Sequence, residues 1–261
     1  MLDLIAKYDL KKINTLFKYP SIETYHHLDP KGKYVINKLT EPNVPFSELE
    51  ISEKIDGMNI RIIMYKNDYI IGSRNNLIHY SDHSQVDRYG YIIEEKINNY
   101  LQSYKDDVTV IFGELFGAEI QNGKSRYADG KLKQYDFRIF DAYSINYDQL
   151  NELLSQSIDK LSSWREHNNQ PWYTSEQLNQ LATIVVPRVP FIKVVDSMPI
   201  DANETYEWLK EFKDSHVCQT SEGTTKLFKR AEGVVIRNKD RSYIKKLRID
   251  EYELGFKKSF Q

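Results

Sequence analysis

The stretch from Leu49 to Ser73 constrains this chain most. Ile60, Ile62 and Met64 alternate with Arg61, Ile63 and Tyr65, the two-residue period of a strand. Lys66-Asn67-Asp68 is a turn-forming triplet, and Tyr69-Ile70-Ile71 returns behind it, so an antiparallel hairpin is expected here. Further strands are expected at Val108 to Phe116, Tyr135 to Tyr143, Gly233 to Arg237 and Ser242 to Arg248. Val185 to Val195, with Pro187 and Pro190, suits an edge strand. Helical spacing appears at Met1 to Lys12, 85 to 104, Tyr147 to Trp164 and Asn203 to Phe212, and Thr174 to Gln177 has capping-box form ahead of Leu178 and Leu181. Residues 18 to 48 are turn-rich, with Pro20, Pro30, Gly32, Pro42 and Pro45, and read as irregular.

Strands and helices follow one another without regular β-α alternation, which predicts an α+β fold with antiparallel sheets. A single domain over 1–261 is expected, with two sheets flanked by helices and a lead-in segment over about 1–48.

Composition removes several function classes. With 36 Lys+Arg against 38 Asp+Glu, the net charge of -2 argues against a globally basic protein that coats nucleic acid, and leaves room for a local basic patch. Tyr and Phe number 19 and 11, too many for a disordered chain. A lone cysteine, Cys218, excludes an internal disulfide framework and a cysteine-based zinc cluster, and reads as a buried small hydrophobe. No apolar run is long enough to span a membrane, and the N-terminus lacks a signal-peptide core, so an intracellular, cytoplasmic location is expected. His26-His27 reads as a surface pair, because no Cys or acid stands at ligand spacing. Trp164, Trp172 and Trp208 read as packing residues.

The residues that carry chemistry begin at Glu53-Lys54-Ile55-Asp56-Gly57. Taken alone, K-x-D-G is a surface lysine beside an Asp-Gly turn. A lysine amine attacks phosphorus when it is deprotonated and in line, and nearby positive charge favours the neutral amine. Arg74 follows the hairpin. Glu114 lies between glycines in Gly113-Glu114-Leu115-Phe116-Gly117, where an isolated carboxylate is costly to bury without a partner. In Phe137-Arg138-Ile139-Phe140-Asp141, alternation puts Phe137, Ile139 and Asp141 on one face and Arg138 and Phe140 on the other. Glu232 opens Glu232-Gly233-Val234-Val235-Ile236-Arg237, and Lys246 and Arg248 share a face of the last strand opposite Lys245. The bland alternatives are a core aromatic for Phe140, a solvated lysine for Lys245, and a turn-shaping role for Glu119 and Gln121.

In this order the segments resemble the motif series of the covalent nucleotidyltransferases, the polynucleotide ligases and mRNA capping enzymes. Within that superfamily the chain most resembles the RNA ligase 2 type. Phe17-Lys18-Tyr19-Pro20-Ser21-Ile22-Glu23 is similar to that family's opening F-K-x-Y-x-S-L-E. Asn59 stands where the family carries Asn, whereas DNA ligases more often carry Arg. Gly113 to Gln121 resembles its G-E-x-x-G-x-x-I-Q stretch. The resemblance runs from about Phe17 to Tyr252 and is weak over 145 to 225.

The resemblance implies an adenylation domain in which Lys54 takes AMP from ATP and passes it to a 5′-phosphate RNA end, which a 3′-hydroxyl then attacks. It implies Lys246 with Arg248 at the α-phosphate (Lys245 if the last motif shifts by one) and Arg74 at phosphate or ribose. Glu114 is implied at the ribose hydroxyls, Phe140 against adenine, and the Glu53 backbone at the adenine edge. Asn59 would act in the RNA steps, with Asp56, Gly57 and Asp141 in support. Glu232 is implied as the ligand of Mg²⁺, or Mn²⁺, directly or through water. The expected partners are RNA ends, nicked or broken, on a duplex or bridging template; no membrane partner and a monomer are expected. The family usually carries a further C-terminal domain after the basic strand; with the chain ending at Gln261, no C-terminal OB-fold or RNA-binding domain is expected. The alternatives are an ATP-dependent DNA ligase, a capping guanylyltransferase core, or a non-catalytic binder of nucleic-acid ends.

Overall fold

In the computed structural model the described residues are 7–44, 48–66, 68–101, 107–117, 120–121, 135–217 and 231–259. Pro45, Asn67, Glu119 and Cys218, each named above, lie outside them. The fold is mixed α+β, and its sheets are antiparallel wherever register is defined. The chain divides into two compact units, with the two main sheets in different units.

Unit one comprises Met1–Ser21, Met58–Leu115 and Tyr135–Arg188. Its sheet contains β4 (Met58–Tyr65), β5 (Asp68–Ser73), β6 (Leu77–Tyr80), β7 (Val108–Gly117) and β8 (Tyr135–Ile145), in the order β6-β5-β4-β7-β8. The expected hairpin is β4-β5, paired from Ile60 opposite Ser73 to Tyr65 opposite Asp68. Ile63, Ile70, Val110, Phe112, Tyr143 and Leu150 meet in one core with Ile13 and Leu16. Each side chain of this kind contributes about 1.5–3 kcal/mol when fully buried.

A helix lies over Leu10–Leu16 and is capped by Asp9, which accepts from Lys11 N; residues 1–6 of the expected Met1 to Lys12 helix lie outside the described residues. The helix expected over Tyr147 to Trp164 is two helices, Tyr147–Ser155 and Ile158–Glu166. Gln156 is extended between them, and Ser157 caps the second by accepting from Lys160 N. Thr174 and Gln177 form the expected reciprocal capping box of the helix Ser175–Ile184. Trp164 and Trp172 pack against the core.

Unit two comprises Ile22–Gly57, Phe116–Gln134 and Val189–Gln261. Its four-stranded sheet has the order β11-β10-β3-β9, from β3 (Leu49–Lys54), β9 (Phe191–Val195), β10 (Gly233–Arg237) and β11 (Ile244–Arg248). The proline-bearing segment does supply an edge strand, β9. Leu49, Ile51, Val234, Ile236 and Leu247 turn to one face and pack with Tyr25, Leu209, Phe212 and Tyr252. Helices cover Ala202–Leu209 and Ile249–Ser259.

The segment read as irregular holds a two-stranded ribbon, β1 (His26–Leu28) with β2 (Val35–Leu39). His26 is not a surface residue: it is fully buried, with Nδ1 2.7 Å from Tyr252 Oη and Nε2 2.7 Å from the Ile200 carbonyl. Both ring nitrogens have partners, which is what makes its burial tolerable.

Candidate active site

In unit two, register builds the arrangement. β10 runs antiparallel to β3 with Gly233 opposite Lys54, and to β11 with Gly233 opposite Arg248. Residues directly opposite share a face, so Lys54 and Arg248 stand on one face in one row, and Lys246 joins them two residues along, opposite Val235. Lys245 points to the other face, where Nζ lies 2.6 Å from Glu23 and 3.3 Å from Glu41. The structure therefore places Lys246 and Arg248, not Lys245, beside the row of Lys54.

Glu232 precedes β10, and its backbone is fixed by Ile249 N donating to its carbonyl at 3.1 Å. Its carboxylate takes two cations: Lys54 Nζ at Oε2, 2.6 Å, and Arg248 Nε at Oε1, also 2.6 Å. Burial by itself would raise this carboxyl, but the Lys54 and Arg248 charges outweigh it and hold it below the usual glutamate range. Arg248 is raised in turn: burial works against its charge, and Glu232 and Glu251 more than offset that. Arg248 Nη1 also donates to Glu251 Oε1 at 3.2 Å, and Glu251 Oε2 is buried without a hydrogen-bond partner. A Cβ on Gly233 would sit 1.9 Å from the Leu247 carbonyl oxygen, so glycine is what lets β10 and β11 close at this row.

Glu53 is buried and turns to the opposite face from Lys54. Its carboxylate accepts from Ser215 Oγ and, at 2.6 Å, from His216 N. Burial raises this carboxyl, partly offset by those two bonds. Its backbone N–H donates to Pro190 O at 2.9 Å, so that donor is already engaged and does not offer itself to an adenine edge. Asp56 is buried, and Gly57 O accepts from the Gln121 side chain.

In unit one, β4 and β7 set Asn59 directly opposite Glu114. Both are half-buried, and Asn59 Oδ1 is buried without a hydrogen-bond partner. Arg74 is exposed and follows Ser73, whose partner Ile60 adjoins Asn59. On β8, Phe140 is half-buried with its ring edge-on to Tyr19, 5.0 Å between centroids. Asp141 is buried and accepts from Tyr19 Oη at 2.7 Å.

Several partners were not legible in the sequence: Ser215 and His216 for Glu53, Tyr19 for Asp141, and Glu23 and Glu41 for Lys245. These contacts are long-range and leave no spacing signal. Glu251 did have one, because it stands three residues after Arg248 at the start of a helix.

The unit-two cluster is a strand-end lysine clamped by a carboxylate, with an arginine and a second lysine on its face. Such a face suits phosphate, because it concentrates fixed cations where charge on phosphate oxygens must be balanced. Among curated proteins, none matches the chain by sequence. Among solved structures, a Naegleria gruberi RNA ligase with PPi superposes with TM-score 0.56 and 18% identity, over 94% of this chain and 59% of that one. A glutamate-to-alanine variant of the Naegleria gruberi ligase, with ATP and Mn, gives TM-score 0.56 at 17% identity over 91% and 58%. A lysine-to-alanine variant with ATP and Mn gives 0.55 at 16% over 91% and 58%. At these identities the likeness is one of fold, and this chain spans under two thirds of the length of those ligases. Residues 47–250, most of the sequence and every predicted site residue, match the RNA ligase family model, and the chain belongs to the RNA ligase family.

Proposed function

We propose that this chain carries the adenylylation chemistry of an ATP-dependent RNA ligase, with Lys54 as the nucleophile. The observation that carries the reading is the clamp of Lys54 Nζ, 2.6 Å from Glu232, with Arg248 on the other carboxylate oxygen and Lys246 on the same face. Family membership supports RNA as the polymer that is joined.

An amine attacks phosphorus only as the neutral form, and a carboxylate held below its usual range is a weak base for taking a proton. Attack therefore requires that the pair open and the amine lose its proton. The nitrogen then forms a bond to the α-phosphorus of ATP, the bond from phosphorus to the bridging oxygen breaks, and pyrophosphate leaves with that electron pair. Arg248 and Lys246 hold the phosphate oxygens in line. In the second step a 5′-phosphate oxygen of RNA displaces the lysine. In the third a 3′-hydroxyl attacks the activated 5′-phosphate, gives up its proton and releases AMP. Glu114 receives the ribose hydroxyls, Arg74 the phosphate or ribose oxygens, and Phe140 the adenine face. Asn59, whose Oδ1 is buried without a partner, is assigned to the steps at the RNA ends.

The residues fit a divalent ion. Glu232 supplies hard oxygens, and the unpartnered Glu251 Oε2 lies on the other acid that holds Arg248. Glu232 would hold Mg²⁺ or Mn²⁺, directly or through water, and a bound divalent ion supplies charge neutralisation at phosphate oxygens. The Naegleria gruberi structures with ATP and Mn support both cofactors for this reading. The substrates would be RNA ends held on a duplex or a bridging template, joined by a cytoplasmic monomer. No helix among the described residues is long and apolar enough to cross a membrane.

The test is sealing of a nicked RNA duplex with ATP and magnesium, beside a nicked DNA duplex and beside GTP in place of ATP. Sealing of RNA with ATP, lost in Lys54→Ala, is expected. Sealing of DNA alone, or labelling by GTP alone, overturns the reading.

A further inference from the structure

A second constellation lies within unit one, in residues that the proposed chemistry does not use. His79 is on β6, His83 is in the loop after it, and Glu94 is on the helix Arg88–Leu101. One ligand atom from each lies within 4.8 Å of the others. His79 Nε2 is 3.1 Å from Glu94 Oε2, and His83 Nε2 is 3.8 Å from Glu94 Oε1. Donors around a tetrahedral zinc with bonds of about 2.0–2.1 Å sit about 3.4 Å apart, which the two histidine–carboxylate separations bracket.

The surrounding fold holds the three groups in place. The His79 side chain is fully buried, its ring stacked on Tyr69 and edge-on to His83, 5.5 Å between centroids. Tyr69 Oη donates to Glu94 Oε1, which helps to fix the carboxylate beside the imidazoles. A hydrogen-bonded carboxylate beside a ligating histidine is the arrangement that orients metal ligands. His83 has φ 58, and its backbone N–H donates to Tyr80 O at 3.0 Å, which folds the loop back over β6. Gly90 completes the arrangement: a Cβ there would lie 2.4 Å from His79 Cβ. Glycine thus lets the helix lie against His79, and Glu94, one turn further on the same face, reaches the imidazoles. The His83 side chain is half exposed, so the cluster is reached from solvent on that side.

We infer that His79, His83 and Glu94 form a binding site for a transition-metal ion, zinc foremost, that fastens the β6 loop and the following helix to the sheet. Two imidazoles and one carboxylate are donors of intermediate hardness, suited to zinc and its neighbours rather than to magnesium. The inference is independent of the adenylylation chemistry.

The test is calorimetric titration of the whole chain, freed of metal by a chelator, with zinc, and a parallel titration with cobalt(II) followed by visible absorption. Saturable binding of one zinc, a rise in Tm on binding, and a strong cobalt band of nitrogen-ligated tetrahedral type are expected. His83→Ala, at an exposed loop position that folding does not need, is expected to weaken zinc binding about 100-fold and remove the cobalt band. Gly90→Ala, which lifts the helix off His79, is expected to weaken it as well. No saturable zinc binding overturns the inference, as does binding of equal strength in the parent and in His83→Ala; the same residues would then form a metal-free hydrogen-bond network of His79 and Tyr69 on Glu94.

Discussion

Lys54 Nζ and Glu232 Oε2 stand 2.6 Å apart across 178 residues of chain. The sheet order β11-β10-β3 makes this possible, because the row Lys54, Gly233, Arg248 brings the ends of all three strands to one place. Glu232 holds two basic side chains that would otherwise repel each other, one on each carboxylate oxygen.

Removing that carboxylate has two consequences. Glu232→Ala leaves Lys54 and Arg248 without their shared partner and is expected to cost about 2 kcal/mol of stability. It is also expected to slow adenylylation by about 100-fold or more, because the cations lose their fixed positions. Urea unfolding measures the first and single-turnover labelling the second; labelling at the parent rate would contradict the assigned role.

The same clamp predicts an acid sensitivity. A carboxyl whose pKa is lower folded than unfolded adds stability above its ordinary value of 4.5, and loses it as pH falls through the depressed folded value. Stability of the parent is therefore expected to fall more steeply below about pH 4.5 than that of Glu232→Gln. Chemical unfolding at a series of pH values checks this, and equal slopes would count against it.

Gly233→Ala is expected to be disruptive out of proportion to one methyl group. The new Cβ would meet the Leu247 carbonyl oxygen, a backbone atom, and the strands must part. A cost of about 1–3 kcal/mol is expected, with loss of adenylylation, since Lys54 and Arg248 are aligned through this residue. A fully stable variant would show that the row tolerates opening.

Tyr19→Phe separates support from chemistry. The ring packs against Phe112, Phe140 and Trp172, and the hydroxyl serves Asp141 at 2.7 Å. Loss of the hydroxyl alone is expected to cost about 1 kcal/mol in thermal or urea unfolding. Affinity for ATP is expected to fall, because the Tyr19 hydroxyl fixes Asp141 beside Phe140; a binding titration reads that directly, and unchanged affinity would remove Asp141 from the site.

The α+β class and the hairpin were legible because Ile60 to Tyr65 and Tyr69 to Ile71 repeat every two residues, and local period needs no tertiary information. The shared face of Lys246 and Arg248 was legible for the same reason. The helix boundaries at Asp9 and Ser157 depended on caps that break an otherwise continuous apolar pattern. His26 departs from the expected surface pair because a polar ring is tolerated in the interior when both nitrogens find partners, here Tyr252 and Ile200, far away in sequence. The Glu53 carboxylate shows the same limit: strand alternation turns it away from Lys54, but its partners, Ser215 and His216, lie far away in sequence.

The most direct test of the central claim is intact-mass and peptide mapping of the chain after incubation with ATP and magnesium. One added AMP, acid-labile, is expected on Lys54, and none in Lys54→Arg. Added AMP on another lysine, or none in folded protein with either magnesium or manganese, would contradict it.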